Sequence, residues 1–165
     1  MSKPLFESDY PLSAPGHVLR YLGLSDLERM NRIEQRSHQC PWSSQNLASS
    51  LTNQHHVLGL FRGQTLVGYA ILAIICDEAE LLLLVVDKSH QGQGLGRRCL
   101  EGLKALMPAF CQHVFLEVRE SNRAAISLYE TVGFNQMGTR PAYYPALERG
   151  AERETALIYG LYLAS

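Results

Sequence analysis

Three places in this 165-residue chain carry residue types at spacings that could do chemistry. The first is Gln91-Gly92-Gln93-Gly94-Leu95-Gly96-Arg97, a glycine-rich run between an apolar segment and an amphipathic one. Successive backbone N–H groups and the positive end of a helix converge in such a loop, and the group they hold is an anion, usually a phosphate. Arg97 and Arg98 would add cations beside it. The second is Glu117, a carboxylate in the run His113–Arg119, where Val114, Leu116 and Val118 point one way and Phe115, Glu117 and Arg119 the other. Among so much apolar surface it is expected to be partly desolvated, which suits a general base; a structural pairing with Arg119 or Arg123 is the alternative. The third is Tyr129, two turns into a helix, whose ring can pack inside while its hydroxyl reaches a cavity as a proton donor.

Spacing excludes two nucleotide-binding loops. A P-loop needs Gly-Lys followed by Ser or Thr, but Gly96 is followed by Arg97 and Arg98. A dinucleotide fingerprint needs a third glycine where Arg97 or Cys99 stands. The pattern that fits is Q-x-x-G-x-G, Gln91 to Gly96.

The remaining chain must position these groups. Residues 1–16 hold three prolines and no periodicity and read as an extended lead-in, with one domain over 17–165. Val18–Leu22 suits a first strand, Ser25 to Glu28 a capping box opening a helix, and Ser43 the cap of a second. Val57–Phe61, Leu66–Cys76 and Glu80–Val86 form an antiparallel meander; the last is apolar at every position from Leu81, so both its faces should be covered at the sheet centre. Helices follow at Leu95–Met107 and from a cap at Ser121 to Thr131, with Gly133 as C-cap, and strands at His113–Arg119, Phe134–Thr139 and Ala156–Leu163. The fold class is mixed α/β.

A net charge of −1 with no charge block gives nothing to track a nucleic-acid backbone. No apolar run approaches the ~20 residues of a membrane-spanning helix, and no signal peptide is readable, so a cytoplasmic protein is expected. The four cysteines form no C-x-x-C pair; Cys40 and Cys99 read as small packing residues, His55-His56 as a loop pair, and no metal site is expected.

The loop resembles the acyl-CoA pyrophosphate loop of the GCN5-related N-acetyltransferase (GNAT) superfamily, and Leu116-Glu117-Val118-Arg119 with Ser121-Asn122, Leu128-Tyr129 and Gly133-Phe134 resembles its ribosomal-protein-alanine N-acetyltransferase (RimI) branch. Glu34 to His38, Pro41-Trp42-Ser43 and Tyr143-Tyr144-Pro145 are similar to that branch in order and spacing; Gly92 stands where relatives often carry Arg. The resemblance implies about seven mostly antiparallel strands flanked by about four helices, with acetyl-CoA wedged between two splayed central strands. It implies that the backbone of Leu84, Val85 and Val86 pairs with the pantetheine amides, that Gln91, Gly92, Gln93, Gly94, Leu95, Gly96 and Arg97 hold the pyrophosphate, and that Asn122 contacts the thiol arm. Glu117 would be the general base, with Glu80 as a more solvated rival, and Tyr129 the general acid; Trp42, Tyr143 and Tyr144 would line the acceptor groove. The implied acceptor is the N-terminal alanine of a small-subunit ribosomal protein, S18, and a monomer is expected. Transfer to lysines, other N-termini or a small amine, or a non-catalytic acyl-CoA-binding module, are the alternatives.

Overall fold

The computed structural model describes residues 4–163, so the first three residues of the expected lead-in and the last two of the expected domain lie outside the described residues. The apolar alternation and the turns at glycine build one sheet, in spatial order β1-β2-β3-β4-β5-β6-β8-β7. In chain order the elements are β1 (Tyr10–Pro11), β2 (His17–Tyr21), α1 (Leu27–Ser37), α2 (Ser44–Thr52), β3 (His56–Arg62), β4 (Thr65–Ile75), β5 (Glu78–Val86), α3 (Leu95–Leu106), β6 (His113–Arg119), α4 (Arg123–Val132), β7 (Asn135–Tyr144) and β8 (Glu154–Tyr162). Each neighbouring pair is antiparallel except β5 and β6, which run parallel. Helices α3 and α4 cover one face through Leu103 and Tyr129, in one cluster with Leu116 of β6; α1 and α2 cover part of the other through Met30, Ile33 and Leu47 against Tyr69 and Val85.

The sheet has eight strands where seven were expected. The additional one, β1, lies in the expected lead-in: Tyr10 and Pro11 pair with Leu19 and Val18, and Leu5, Phe6 and Leu12 pack against the core. An edge strand tolerates Pro11 because its missing donor costs no ladder bond on the outer side.

Local signals also shift by a residue or two. Asp26, not Ser25, organises the start of α1: its Oδ2 accepts from Gly23 N–H at 3.0 Å and its Oδ1 pairs with Arg29. Asn122, not Ser121, caps α4, its Oδ1 accepting from Ala125 N–H at 3.2 Å. Ser43 does cap α2, accepting from Asn46 N–H at 3.1 Å, and Gly133 closes α4 in the left-handed conformation. His56 is not in a loop; it opens β3, buried, with Nδ1 2.7 Å from the Tyr21 hydroxyl.

What makes a site is the ending of one ladder. The β5–β6 pairing runs from Glu78 opposite His113 to Leu81 opposite Leu116 and then stops. Beyond it the β6-facing edge of Leu82–Val86 has no strand beside it, and Glu117 is the first residue of β6 past the last pair. The register with β4 also slips between Ile71 and Leu72, leaving Leu82 as an extra residue on β5, a bulge of the kind that bends a strand beside an active site. The apolar run of β5 is therefore not covered on both faces: Leu82, Leu83 and Leu84 are only half-buried and open onto a cavity.

Candidate active site

The slot leads into a cavity of about 650 Å³ whose wall includes Trp42, Leu84, Glu117, Asn122, Tyr129 and Tyr144. Strand β6, helix α4 and strand β7 thus bring together residues that are up to 27 positions apart from Glu117 in sequence, from Glu117 to Tyr144. Tyr143 lines the same wall, so all three expected acceptor-groove aromatics are present. Trp42 comes from the α1–α2 connection, and the two tyrosines from β7, which departs from its register between Arg140 and Tyr144 with Ala142 at a φ of 51°. Arg153 fixes this kink by donating to the carbonyls of Ala142 and Tyr143, at 2.9 and 2.6 Å.

Glu117 stands in a more polar setting than its strand pattern predicts. The partner is neither Arg119 nor Arg123 but Arg140 of β7, with Nε 3.1 Å from Oε1. Arg119 instead pairs with Glu154 at 3.0 Å and stacks over Tyr144, its guanidinium 4.5 Å from the ring centroid. Glu117 charges its surroundings in turn: it is the main reason the Tyr143 phenol is pushed up. Glu80 is exposed as expected, yet it lines the same cavity.

Tyr129 packs edge-on against Phe134 at 5.8 Å between centroids, and burial pushes its phenol up to about 12. At neutral pH it keeps its proton and can donate it. Tyr144 is also pushed up to about 12, by burial first and by Glu117 second.

The glycine-rich loop lies at the other end of the slot. Gly94 is the N-cap of α3 with φ 73°, and the first intrahelical bond is Arg98 N–H to the Gly94 carbonyl at 3.2 Å, so the N–H groups of Leu95, Gly96 and Arg97 precede it. This is a turn shaped for an anion. Among the side chains, Leu95 is buried, Arg97 donates along the helix to Glu101 at 2.9 Å, and Arg98 reaches Ser13 at 3.1 Å. The loop therefore offers backbone donors, with its two arginines turned to protein partners. Gln91 donates to the Val86 carbonyl at 2.9 Å, so that oxygen of the set expected to meet the cofactor already has one partner, and the Val85 carbonyl faces Gly68 on the β4 side rather than the slot. Asn122 spends its Oδ1 on capping α4, so its amide nitrogen is the group free for the thiol arm.

A Cβ at Gly94 would meet no atom within 4 Å, so the cost of Gly94→Ala is conformational, ~1 kcal/mol for a left-handed non-glycine residue. The expected result is a Tm lower by about 2–4 °C and an acetyl-CoA KM raised about three- to tenfold, with the acceptor KM unchanged. Initial rates at varied acetyl-CoA check it.

Two residues have roles that the sequence reading did not assign. Glu154 bridges Arg119 and the Ser121 N–H, the latter at 2.7 Å, and a charged loop gives no signal for it. Glu34 is buried without exposed surface on α1 and binds His38, Trp42 and Tyr69; its signal was a carboxylate on the apolar side of an amphipathic helix, one residue after Ile33. Cys40, expected to pack, is exposed and lines the cavity, whereas Cys99 is buried, its thiol pushed up to about 12 by desolvation. Among the described residues no three His, Cys, Asp or Glu side chains are grouped to hold a metal, and no helix is long and apolar enough to cross a membrane.

Residues 22–134 match the acetyltransferase (GNAT) family. The chain belongs to this family. As a GNAT protein it is an acetyl-CoA-dependent N-acetyltransferase, and the splayed strands, bulge and glycine loop fit that donor. The chain is 40% identical over 146 residues to the [ribosomal protein bS18]-alanine N-acetyltransferase of Escherichia coli K12, covering 88% of this chain and 97% of that one. It is 35% identical over 147 residues to the enzyme of the same description from Haemophilus influenzae, covering 88% and 99%. The crystal structure of the E. coli ribosomal-protein-S18-alanine N-acetyltransferase superposes with a TM-score of 0.82 at 37% identity, covering 90% of this chain and 95% of that chain. Arabidopsis thaliana NAA60 in complex with acetyl-CoA, at 15% identity and a TM-score of 0.76 over 88% of this chain and 99% of that one, shares the GNAT fold.

Proposed function

We propose that the protein moves an acetyl group from acetyl-CoA to the α-amine of an N-terminal alanine, with ribosomal protein S18 as acceptor, by direct transfer in a ternary complex. The observation that carries this reading is the placement of Glu117 and Tyr129 on one cavity wall at the mouth of the β5–β6 slot. The identity of 40% to the E. coli alanine N-acetyltransferase supports the choice of acceptor.

Bound acetyl-CoA supplies a thioester whose carbonyl carbon accepts a nitrogen nucleophile. Loop N–H groups from Gly94 to Arg97 hold its pyrophosphate and the open edge of β5 aligns its amide arm. Glu117 accepts a proton from the acceptor nitrogen. Tyr129 donates one to the departing thiolate, whose conjugate acid has a pKa of about 8.5. Trp42, Tyr143 and Tyr144 form the apolar walls around a small first side chain. An N-terminal ammonium ionises near pKa ~8 against ~10.4 for lysine, so a carboxylate base reaches far more neutral α-amine than neutral lysine at pH 7. The four free thiols suit a reducing compartment, and the cytoplasm is the proposed place of action.

The test is thiol release from acetyl-CoA with a peptide beginning Ala-Arg-Tyr, set against the same peptide N-terminally blocked with an internal lysine retained. Turnover is expected with the free peptide alone. Acetylation confined to the lysine overturns the acceptor assignment.

A further inference from the structure

His38 is a cavity-wall side chain that the transfer above leaves unused, and a buried carboxylate holds its ring in place. It follows the last turn of α1, is 31% exposed along its side chain, and places Nδ1 2.8 Å from Oε1 of Glu34. Glu34 is fixed in turn: Tyr69 donates to Oε2 at 2.6 Å and the Trp42 N–H to Oε1 at 3.0 Å. Burial alone would push the Glu34 carboxyl up, but hydrogen bonds from His38 and Tyr69 outweigh it and hold it below its ordinary value, so it is a carboxylate. A carboxylate only accepts, so in the neutral ring Nδ1 carries the hydrogen and Nε2 keeps its lone pair. Among the described residues Nε2 has no hydrogen-bond partner.

Acetylating an ammonium removes two protons from nitrogen. One reaches the thiolate sulfur and the other must leave for solvent, yet Glu117 and Tyr129 account for one acceptor and one donor. We propose that His38 is a second acid–base group of this site: Nε2 takes the first proton from the acceptor ammonium and passes it to water through the open cavity, with Glu34 as the positioning residue that fixes its tautomer and direction. This rests on the amine-acetylation reading above. In the first step an N–H bond of the ammonium breaks, its electron pair stays on nitrogen, and a new N–H forms at Nε2. The resulting imidazolium, faced by the Glu34 carboxylate, gives its proton to water. The neutral amine then attacks, the new C–N bond forms, the second proton goes to Glu117, and the C–S bond breaks as Tyr129 protonates sulfur; the proton on Glu117 then passes to the Tyr129 oxygen through cavity water, which restores both groups.

Other titratable groups surround His38. On the cavity wall are Cys40 beside it, Glu80 of β5, Glu117 and Arg119 of β6, Tyr129 of α4, and Tyr143 and Tyr144 of β7. Behind it are Glu34 of α1 and Tyr69 of β4, and after β5 come Asp87, paired with Arg36, and Lys88, whose N–H donates to the Ser37 hydroxyl, with His90 two residues on. All of these except the substituted residue are common to wild type and each variant, so a difference between their pH profiles isolates the His38 ring or its Glu34 partner.

The experiment compares wild type, His38→Gln and Glu34→Gln for kcat/KM toward the Ala-initiated peptide from pH 6.5 to 9.5. The acceptor passes from mostly ammonium to mostly neutral amine across that range, with its pKa near ~8. The expected His38→Gln deficit is about tenfold at pH 7, shrinking to within about twofold at pH 9.5 where the first proton is already gone, with acetyl-CoA KM unchanged. Glu34→Gln should give the same pH-shaped deficit; should it fail to fold, the half-exposed His38→Gln still decides. A deficit equal at both ends of the range, or none, overturns the proposal, because a purely structural role does not depend on the acceptor's protonation. Wild-type silence on the peptide counts against the alanine acceptor alone, and the same comparison then runs with the amine that the wild type does acetylate.

Discussion

Replacing Glu117 by Gln should lower kcat for the Ala-initiated peptide by about 10²- to 10³-fold at neutral pH, within the range by which a positioned base assists proton transfer. The amide keeps the shape of the side chain on β6, so the cavity wall stays in place. What it loses is the capacity to accept the proton released as nitrogen bonds to the carbonyl carbon, a proton that appears whatever the pH at which the amine arrives. The deficit should therefore persist at pH 9.5, unlike that of His38→Gln. The lost ion pair costs little stability, since Arg140 is 55% exposed on its side chain and a solvent-facing pair contributes ~0–1 kcal/mol. Steady-state rates paired with a thermal melt check both halves; turnover within threefold of wild type would remove Glu117 from the proposed mechanism.

Tyr129→Phe should produce the second largest effect, a fall in kcat of about 10²-fold with both KM values within about twofold. Phenylalanine retains the edge-on contact with Phe134 and the packing on the α4 side of the core, so Tm should hardly move. The missing hydroxyl leaves the thiolate to depart unprotonated. Because burial raises the Tyr129 pKa to about 12, its folded-state proton is retained through the usual assay range and is lost only as pH approaches that value. Wild-type kcat is therefore expected to show no alkaline decline from this group below pH 10. A rate for Tyr129→Phe equal to wild type would leave Tyr144, also raised to about 12, as the donor to test.

Much of this was legible in the chain because the signals were local. Alternation over His113–Arg119 placed Glu117 on the face opposite Val114 and Leu116, and the structure buries those residues as expected. The glycine loop was readable because left-handed backbone at Gly92 and Gly94 demands that residue type. What stayed hidden depends on pairs far apart in sequence. Arg140 reaches Glu117 because β7 is carried beside β8 and β8 beside β6, an ordering that no window of sequence contains. Glu34 meets Tyr69 across 35 positions, and only the packing of α1 on β4 turns an isolated carboxylate into the centre of a hydrogen-bonded cluster. The run Leu81–Val86 was read as a strand covered on both faces; hydrophobicity reports distance from bulk water, and the apolar wall of a cavity carries the same signature. Asn122 and Ser121 are both good caps, and their order was decided by Glu154 taking the Ser121 N–H.

That carboxylate has a wider consequence. Opening a sheet to admit a substrate gives up the ladder that would have fixed the far wall of the gap: after Leu116, β6 has a partner on the β8 side alone. Glu154 grips the guanidinium at the free tip of β6 and, with its other oxygen, the turn from which α4 starts. The strand that bears Glu117 and the helix that bears Tyr129 are thereby clamped at one corner, outside the sheet and away from the reacting atoms. The spacing between Glu117 and Tyr129, the proposed proton acceptor and donor, is in this sense set in part by Glu154, a residue outside the cavity wall.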